Sequence, residues 1–187
     1  MIKKVKKTPS LETTDRIIRE ARPDDAKDFL SYLKTVGGES DNLTFGVEGV
    51  AMEVELEAHH LEEMMLSPNS LQLLALEDDK IIGSLTFIAG KRERIAHAGE
   101  MAISVLQEHW GQGVGSALIV AFLTWIGSAG TGIRKVNLLV REDNERAINL
   151  YKRYGFVNEG RRSRMFLLDG QFVHGIHMGL EIDGGTT

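Results

Sequence analysis

The 187-residue chain contains no cysteine. A disulfide framework, a thiolate metal site and a cysteine nucleophile are therefore excluded, which suits a reducing compartment. Basic charge is also in short supply. There are 22 Lys and Arg against 27 Asp and Glu, a net charge of -5, so the electrostatic footprint expected of a nucleic-acid binder is missing. No apolar run nears the ~18 residues of a membrane span. The positive N-terminus has no apolar core behind it, as a secretory signal would require. Internal repeats and low-complexity linkers are lacking too. A single cytoplasmic domain with neither a nucleic-acid nor a membrane partner is the expectation. The local exception, Lys3, Lys4, Lys6 and Lys7, reads as a solvated extension over residues 1–15, ahead of a domain at 16–182 and a tail at 183–187.

What is present is an ordinary globular composition, 42% hydrophobic and 26% charged, long enough to bury one substantial core. Residues 16–22 alternate and predict a first strand. Pro23 stands where a helix can begin, and Ala26, Phe29, Leu30 and Leu33 recur at helical spacing up to Gly37-Gly38. Residues 40–49 predict a loop with Phe45 as an apolar plug. In a second helix Met52, Leu56, His60 and Met64 fall on one stripe, with Leu61 and Met65 beside it, and Glu53, Glu55, Glu57, Glu62 and Glu63 cover much of the remaining surface. Residues 71–76 and 81–88, joined by Asp78-Asp79-Lys80, predict a hairpin. A further strand at 99–106 leads into a glycine-rich stretch and a helix at 116–126. A strand around Val136, Leu138 and Val140, a helix at 144–154 closed by Gly155, and two strands about Asp169-Gly170 complete the chain. The order β-α-α-β-β-β-α-β-α-β-β describes an α/β domain, a mixed sheet with helices on its faces.

The stretch Trp110-Gly111-Gln112-Gly113-Val114-Gly115-Ser116 is where chemistry is expected. Glycines at alternate positions permit positive φ and close approach of a ligand to the backbone. The following helix adds its positive dipole end, which favours an anion. The nucleotide-triphosphate loop would need Lys-Ser/Thr after the last glycine, and the dinucleotide fingerprint would need Gly or Ala where Leu118 stands. Neither pattern fits.

Two motifs carry a family resemblance. Trp110–Gly115 resembles the Arg/Gln-x-x-Gly-x-Gly/Ala loop of the GCN5-related N-acetyltransferases (GNAT), and the end of the chain, Glu159-Gly160-Arg161-Arg162 through Asp169-Gly170-Gln171-Phe172, resembles the ribosomal-protein and polyamine acetyltransferase-like subgroup. Asn144-Glu145-Arg146-Ala147-Ile148-Asn149-Leu150-Tyr151-Lys152-Arg153-Tyr154-Gly155-Phe156 resembles the family's Asn-x-x-Ala-x-x-Leu-Tyr-x-x-x-Gly-Phe run. The resemblance implies a single domain with a central sheet of about seven strands and about four helices. It also implies acetyl-CoA as co-substrate and no metal. By the same token, the coenzyme pyrophosphate would lie on Gly111, Gln112, Gly113, Val114, Gly115 and Ser116. The pantetheine arm would lie along the main chain near Ile103 and Val105, with Asn144, Ala147, Tyr151 and Arg153 contributing from the helix. Trp110 departs from the family's Arg or Gln, so it is expected to pack against the coenzyme or beneath the loop, leaving the pyrophosphate to main-chain N–H groups.

Acetyl transfer to an amine has two proton problems. A primary amine of pKa about 10.4 is mostly protonated at neutral pH, and the leaving thiolate must be protonated or stabilised. The resemblance makes Tyr151 the acid, although its place on the apolar stripe also fits a core tyrosine. Asn144 fits a helix cap or a pantetheine contact. Glu100 and His97 are the candidate bases, with a water relay as the alternative. Strand alternation separates the two unless Gly99 carries a bulge. His59, His60, His174 and His177 have no metal-ligand spacing. The expected acceptor is a small amine or a protein N-terminus, met in a ternary complex, and a homodimer is compatible with the family. A non-catalytic acetyl-CoA sensor is the alternative.

Overall fold

Two-residue turns organise both halves of the sheet. Asp78 and Asp79 take φ of 50° and 61° between β2 (Leu71–Glu77) and β3 (Lys80–Ala89), and Asp169 and Gly170 take 46° and 77° between β6 (Val157–Leu168) and β7 (Gln171–Glu181). Consecutive positive φ values give the turn whose twist matches that of paired strands, and Asp and Gly adopt it readily. The computed structural model describes residues 16–127 and 130–182; the lysine run near the N-terminus and the tail at 183–187 lie outside them.

The remaining elements are β1 (Arg16–Glu20), α1 (Ala26–Glu39), α2 (Val54–Leu66), β4 (Ala98–Val105), α3 (Val114–Gly127), β5 (Lys135–Arg141) and α4 (Glu145–Arg153). Among the described residues they form one seven-stranded sheet in the order β1-β2-β3-β4-β5-β7-β6, and only the β4–β5 neighbours run parallel. This is the mixed α/β architecture, in one domain, that the sequence predicts.

The sheet separates two cores. β2 sends Leu71, Leu73 and Ala75 to one face, where Leu118, Ile119, Phe122 and Ile126 of α3 pack with Tyr151 and Phe156. Leu74 and Leu76 go to the other, under Phe29, Tyr32 and Val36 of α1 and Leu61 of α2. The two-residue period of a strand produces this division directly. Phe122 and Trp125 of α3 form a three-ring cluster with Phe87 of β3, the centroids lying 5.0 Å (Phe87–Phe122), 6.1 Å (Phe122–Trp125) and 6.3 Å (Phe87–Trp125) apart, which fastens α3 to the sheet.

Three expectations need correction. α1 does not stop at Gly37-Gly38 but runs on to Glu39. A Cβ on Gly37 would stand 2.1 Å from the carbonyl oxygen of Gly46 and 2.9 Å from the Phe45 ring. This glycine is therefore a place of close approach between helix and loop, not a terminator. In α2 the buried residues are Glu57, Leu61 and Met64, while Leu56 is exposed. Apolar residues occur on several sides of this helix, so packing against α1 and β2, not periodicity, chooses the inner face. Finally, α3 begins at Val114, two residues earlier than expected.

Candidate active site

The glycine stretch folds as a turn that enters α3. Gly111 and Gly113 take φ of 77° and 86°, and nothing lies within 4 Å of where their side chains would stand. Both facts point the same way: the backbone needs glycine, and the space above it is open. Gly115 serves packing, since a Cβ there would meet Leu150 of α4 at 3.3 Å. The first intrahelical bond of α3 runs from the Ala117 N–H to the Gly113 carbonyl. The N–H groups of the preceding residues, Val114 to Ser116, thus have no helical acceptor and carry the positive end of the helix dipole. An open, amide-lined cradle of this kind fits a pyrophosphate.

The loop is held from outside. The Arg16 guanidinium donates to the Gln112 carbonyl (3.2 Å) and to its side-chain oxygen, and Arg16 also pairs with Glu77 at 2.6 Å. The Gln112 amide N–H₂ donates to the Glu108 carbonyl at 2.7 Å. With its carbonyl and both ends of its side chain engaged, Gln112 offers a ligand its main-chain N–H. The Trp110 indole N–H donates to the Val105 carbonyl at 2.7 Å, and the Arg146 guanidinium lies 4.6 Å from the indole centroid. Among the described residues Arg146 has no carboxylate partner. It is a candidate anion contact that the sequence reading passed over, although it lies inside the Asn144 motif.

Strand β4 forms the wall of the site. Its parallel pairing with β5 covers only Ala98–Glu100 against Lys135–Asn137, although β4 continues to Val105 and β5 to Arg141. Beyond Glu100 a gap opens. The Leu106 N–H bonds to Ile82 of β3, and the Ala98 carbonyl accepts from Gly90, while the His97 carbonyl accepts from Arg134 and Lys135. By alternation, Ile103 and Val105 direct their main-chain groups into the gap. Trp110 occupies the Val105 carbonyl, which leaves the Ile103 N–H and C=O and the Val105 N–H without a strand opposite.

Side chains of β4 alternate between the two faces. Ile103 and Val105 pack with the α3 core; Glu100, Ala102 and Ser104 face the α1 side, where the Ser104 hydroxyl is 2.8 Å from that of Tyr32. The β3–β4 register passes through Gly99 without a shift. No bulge brings His97 to the face of Glu100. Glu100 is exposed and makes no hydrogen bond or ion pair with another described residue.

Helix α4 adds the last wall. The Asn144 side-chain oxygen accepts from the Ala147 N–H at 3.1 Å and caps the helix. Tyr151 is buried against Phe156, with ring centroids 5.8 Å apart. Burial pushes its phenol above the ordinary range, so the hydroxyl stays protonated at neutral pH. The Tyr154 hydroxyl reaches the Ser116 carbonyl at 3.4 Å. Ala147 is half-buried, and Arg153 is exposed, on the last turn. His174 lies 3.9 Å from Glu142 on one side of β7, while His177 is in register with Leu139 on the other. No group of three or more His, Asp or Glu suited to a metal occurs among the described residues, nor does any described helix have the length and apolarity to cross a membrane.

Residues 42–156 match the profile of the Acetyltransferase (GNAT) family. The chain belongs to this family. It is 31% identical over 121 residues to the L-amino acid N-acetyltransferase AaaT of Escherichia coli K12, covering 63% of this chain and 72% of that protein. It is 29% identical over 79 residues to the spermidine N(1)-acetyltransferase of the same organism, 42% of each chain. A GNAT-family acetyltransferase from Streptococcus pneumoniae superposes with a TM-score of 0.87 at 31% identity, over 90% of this chain and all of that one. The chain is thus an acyltransferase, an N-acetyltransferase that takes its acetyl group from acetyl-CoA, and the open cradle at Gly111 and Gly113 suits that donor.

Proposed function

We propose that this N-acetyltransferase moves the acetyl group directly to a primary amine while donor and acceptor are bound together. The gap between β4 and β5 carries this reading. It joins the glycine cradle at one end to the face of Glu100 at the other, and the free main-chain groups of Ile103 and Val105 lie between. In this assignment the cradle from Gly111 to Ser116 holds the pyrophosphate, with Arg146 on Trp110 adding a cation at its rim. The Asn144 carbonyl oxygen serves as a cap, so only its amide N–H₂ is left for the pantetheine arm, beside Ala147; Arg153 lies farther along the helix surface.

A main-chain N–H at Ile103 or Val105 polarises the thioester oxygen as the amine nitrogen attacks the carbonyl carbon. The new C–N bond forms and the C–S bond breaks. Glu100 takes the ammonium proton before attack, directly or through water, and passes it to solvent; the departing sulfur takes a proton from the Tyr151 hydroxyl, and the proton lost from nitrogen after attack restores that hydroxyl through water. His97 stands outside this assignment because alternation sends it to the other face. Both curated relatives are named for amine acceptors, an L-amino acid and spermidine, which supports a small amine over a protein N-terminus.

Mass spectrometry of acetylated products from a panel of primary amines tests the reading. Acetyl-amine and free coenzyme in equal amounts are the expected result. Tight acetyl-CoA binding with no product on any amine would favour a sensor instead.

A further inference from the structure

We infer that the acceptor is a monoamine with a compact apolar body, aliphatic or aromatic, and not a polyamine. This inference rests on the proposed amine acetylation and names its substrate class. On the α1 side of β4, a cavity of about 90 Å³ is lined by Phe29 and Leu33 of α1, Leu43 and Phe45 of the following loop, and a floor that includes Thr86 and Ser104. It has room for roughly half a dozen heavy atoms. No carboxylate lines it.

The hydroxyls of its floor are already engaged. The Thr86 hydroxyl donates to the Gln72 side-chain oxygen at 2.7 Å, the Gln72 amide N–H₂ donates to the Ser84 hydroxyl at 2.8 Å, and Ser104 is bonded to Tyr32. An ammonium group entering this cavity would leave water without an anionic partner, which is strongly unfavourable; an alkyl or aryl group would gain.

Of the residues lining this cavity and the groove beside it, Glu100 alone is a carboxylate; nearby, Glu159 is paired with Lys135 and Glu39 accepts from the Gln107 main-chain N–H. Two residues along the strand, ~7 Å, separate Glu100 from Ala102 on the cavity floor. Glu100 lies in a wider groove whose other walls include Ile88, Ile95, Ala98 and Asn137. The two recesses therefore offer one carboxylate beside apolar walls, with the neighbouring acids already partnered, the complement of one amine on an apolar body. A polyamine carries two or more cations at fixed spacing and needs a matching number of acids. The Glu residues exposed on α2 do not line either recess.

The test compares kcat/KM, by coenzyme release, for 3-methylbutylamine and 2-phenylethylamine with that for putrescine and spermidine. Expected is at least a 10-fold preference for one of the apolar monoamines. Phe45→Ala should reduce that preferred rate constant about 10-fold or more, Phe45→Leu should retain most of the aliphatic amine rate, and the Kd for acetyl-CoA should stay the same in both variants. Equal or better use of spermidine overturns the inference while leaving amine acetylation intact. So does a Phe45→Ala protein that binds acetyl-CoA normally and keeps its full apolar-amine rate. Failure of every amine, with acetyl-CoA bound, overturns amine acetylation itself and this inference with it.

Discussion

The indole N–H of Trp110 donates to the main-chain carbonyl of Val105 over 2.7 Å. The first residue of the glycine loop is thereby tied to the edge of β4, and one of the polar groups facing the gap is satisfied. The same ring carries the Arg146 guanidinium at 4.6 Å. A side chain at this loop position that lacks charge thus still brings a cation to the rim, by stacking.

If Arg146 contacts the pyrophosphate, Arg146→Ala should weaken acetyl-CoA binding on the order of 10-fold, the size of a charge-assisted contact. The loss should shrink as salt is raised, because the contact is exposed. Titration calorimetry at low and high ionic strength reads both. An affinity equal to that of the unmodified protein at low salt sinks the role.

Gly113 takes φ of 86° with open space where a side chain would stand. Gly113→Ala should strain the backbone by ~1 kcal/mol or more and put a methyl group into the cradle. The expected outcome is a KM for acetyl-CoA raised at least 10-fold, with a fall of only a few degrees in Tm. The converse, a large loss of Tm with an unchanged KM, would make the glycine purely structural.

Burial holds the phenols of Tyr151 and Tyr32 above their ordinary value; for Tyr32 the hydrogen bond to Ser104 offsets part of that effect. A folded-state pKa above the unfolded one means that the folded chain keeps its protons longer. This contribution to stability is full below the unfolded value of about 10 and is lost as pH rises towards the folded value. Urea midpoints should therefore fall above about pH 10, and Tyr32→Phe or Tyr151→Phe should make that fall shallower. In catalysis, Tyr151→Phe should lower kcat by about 10²- to 10³-fold with little change in acetyl-CoA affinity. An unchanged kcat returns Tyr151 to the role of core aromatic beside Phe156.

Much of the fold was legible because strand and helix periods were clean where packing is two-sided. Val136, Leu138 and Val140 alternate in the sequence and are buried together, and Asn144 through Gly155 shows its cap, its stripe and its stop. The site was legible only along the chain. The Trp110–Ser116 loop and the Asn144 helix are local motifs, but the gap in β4–β5 pairing depends on two strands whose paired residues, such as Ala98 and Lys135, are far apart in the chain, and it leaves no mark in either. Arg146 was hidden for the same reason: its partner ring lies on another element. Gly37 misled because a glycine that ends a helix and one that admits a neighbouring loop look alike until the loop is placed. Glu57 misled because a carboxylate was expected in water, whereas it is buried, with its pKa raised by desolvation.

β4 is the single strand whose edge, front and back all meet different parts of the chain. Its main-chain edge faces the gap, Ile103 and Val105 fasten it to α3, and Ala102 and Ser104 floor the recess closed by Phe45. On the proposed assignment, donor fit is written on the edge of this ribbon and acceptor choice on one of its faces. On that assignment, changes in the loop over residues 40–49 would retune which amine is accepted and leave the grip on the coenzyme in place, so a short external segment would redirect one scaffold to new acceptors.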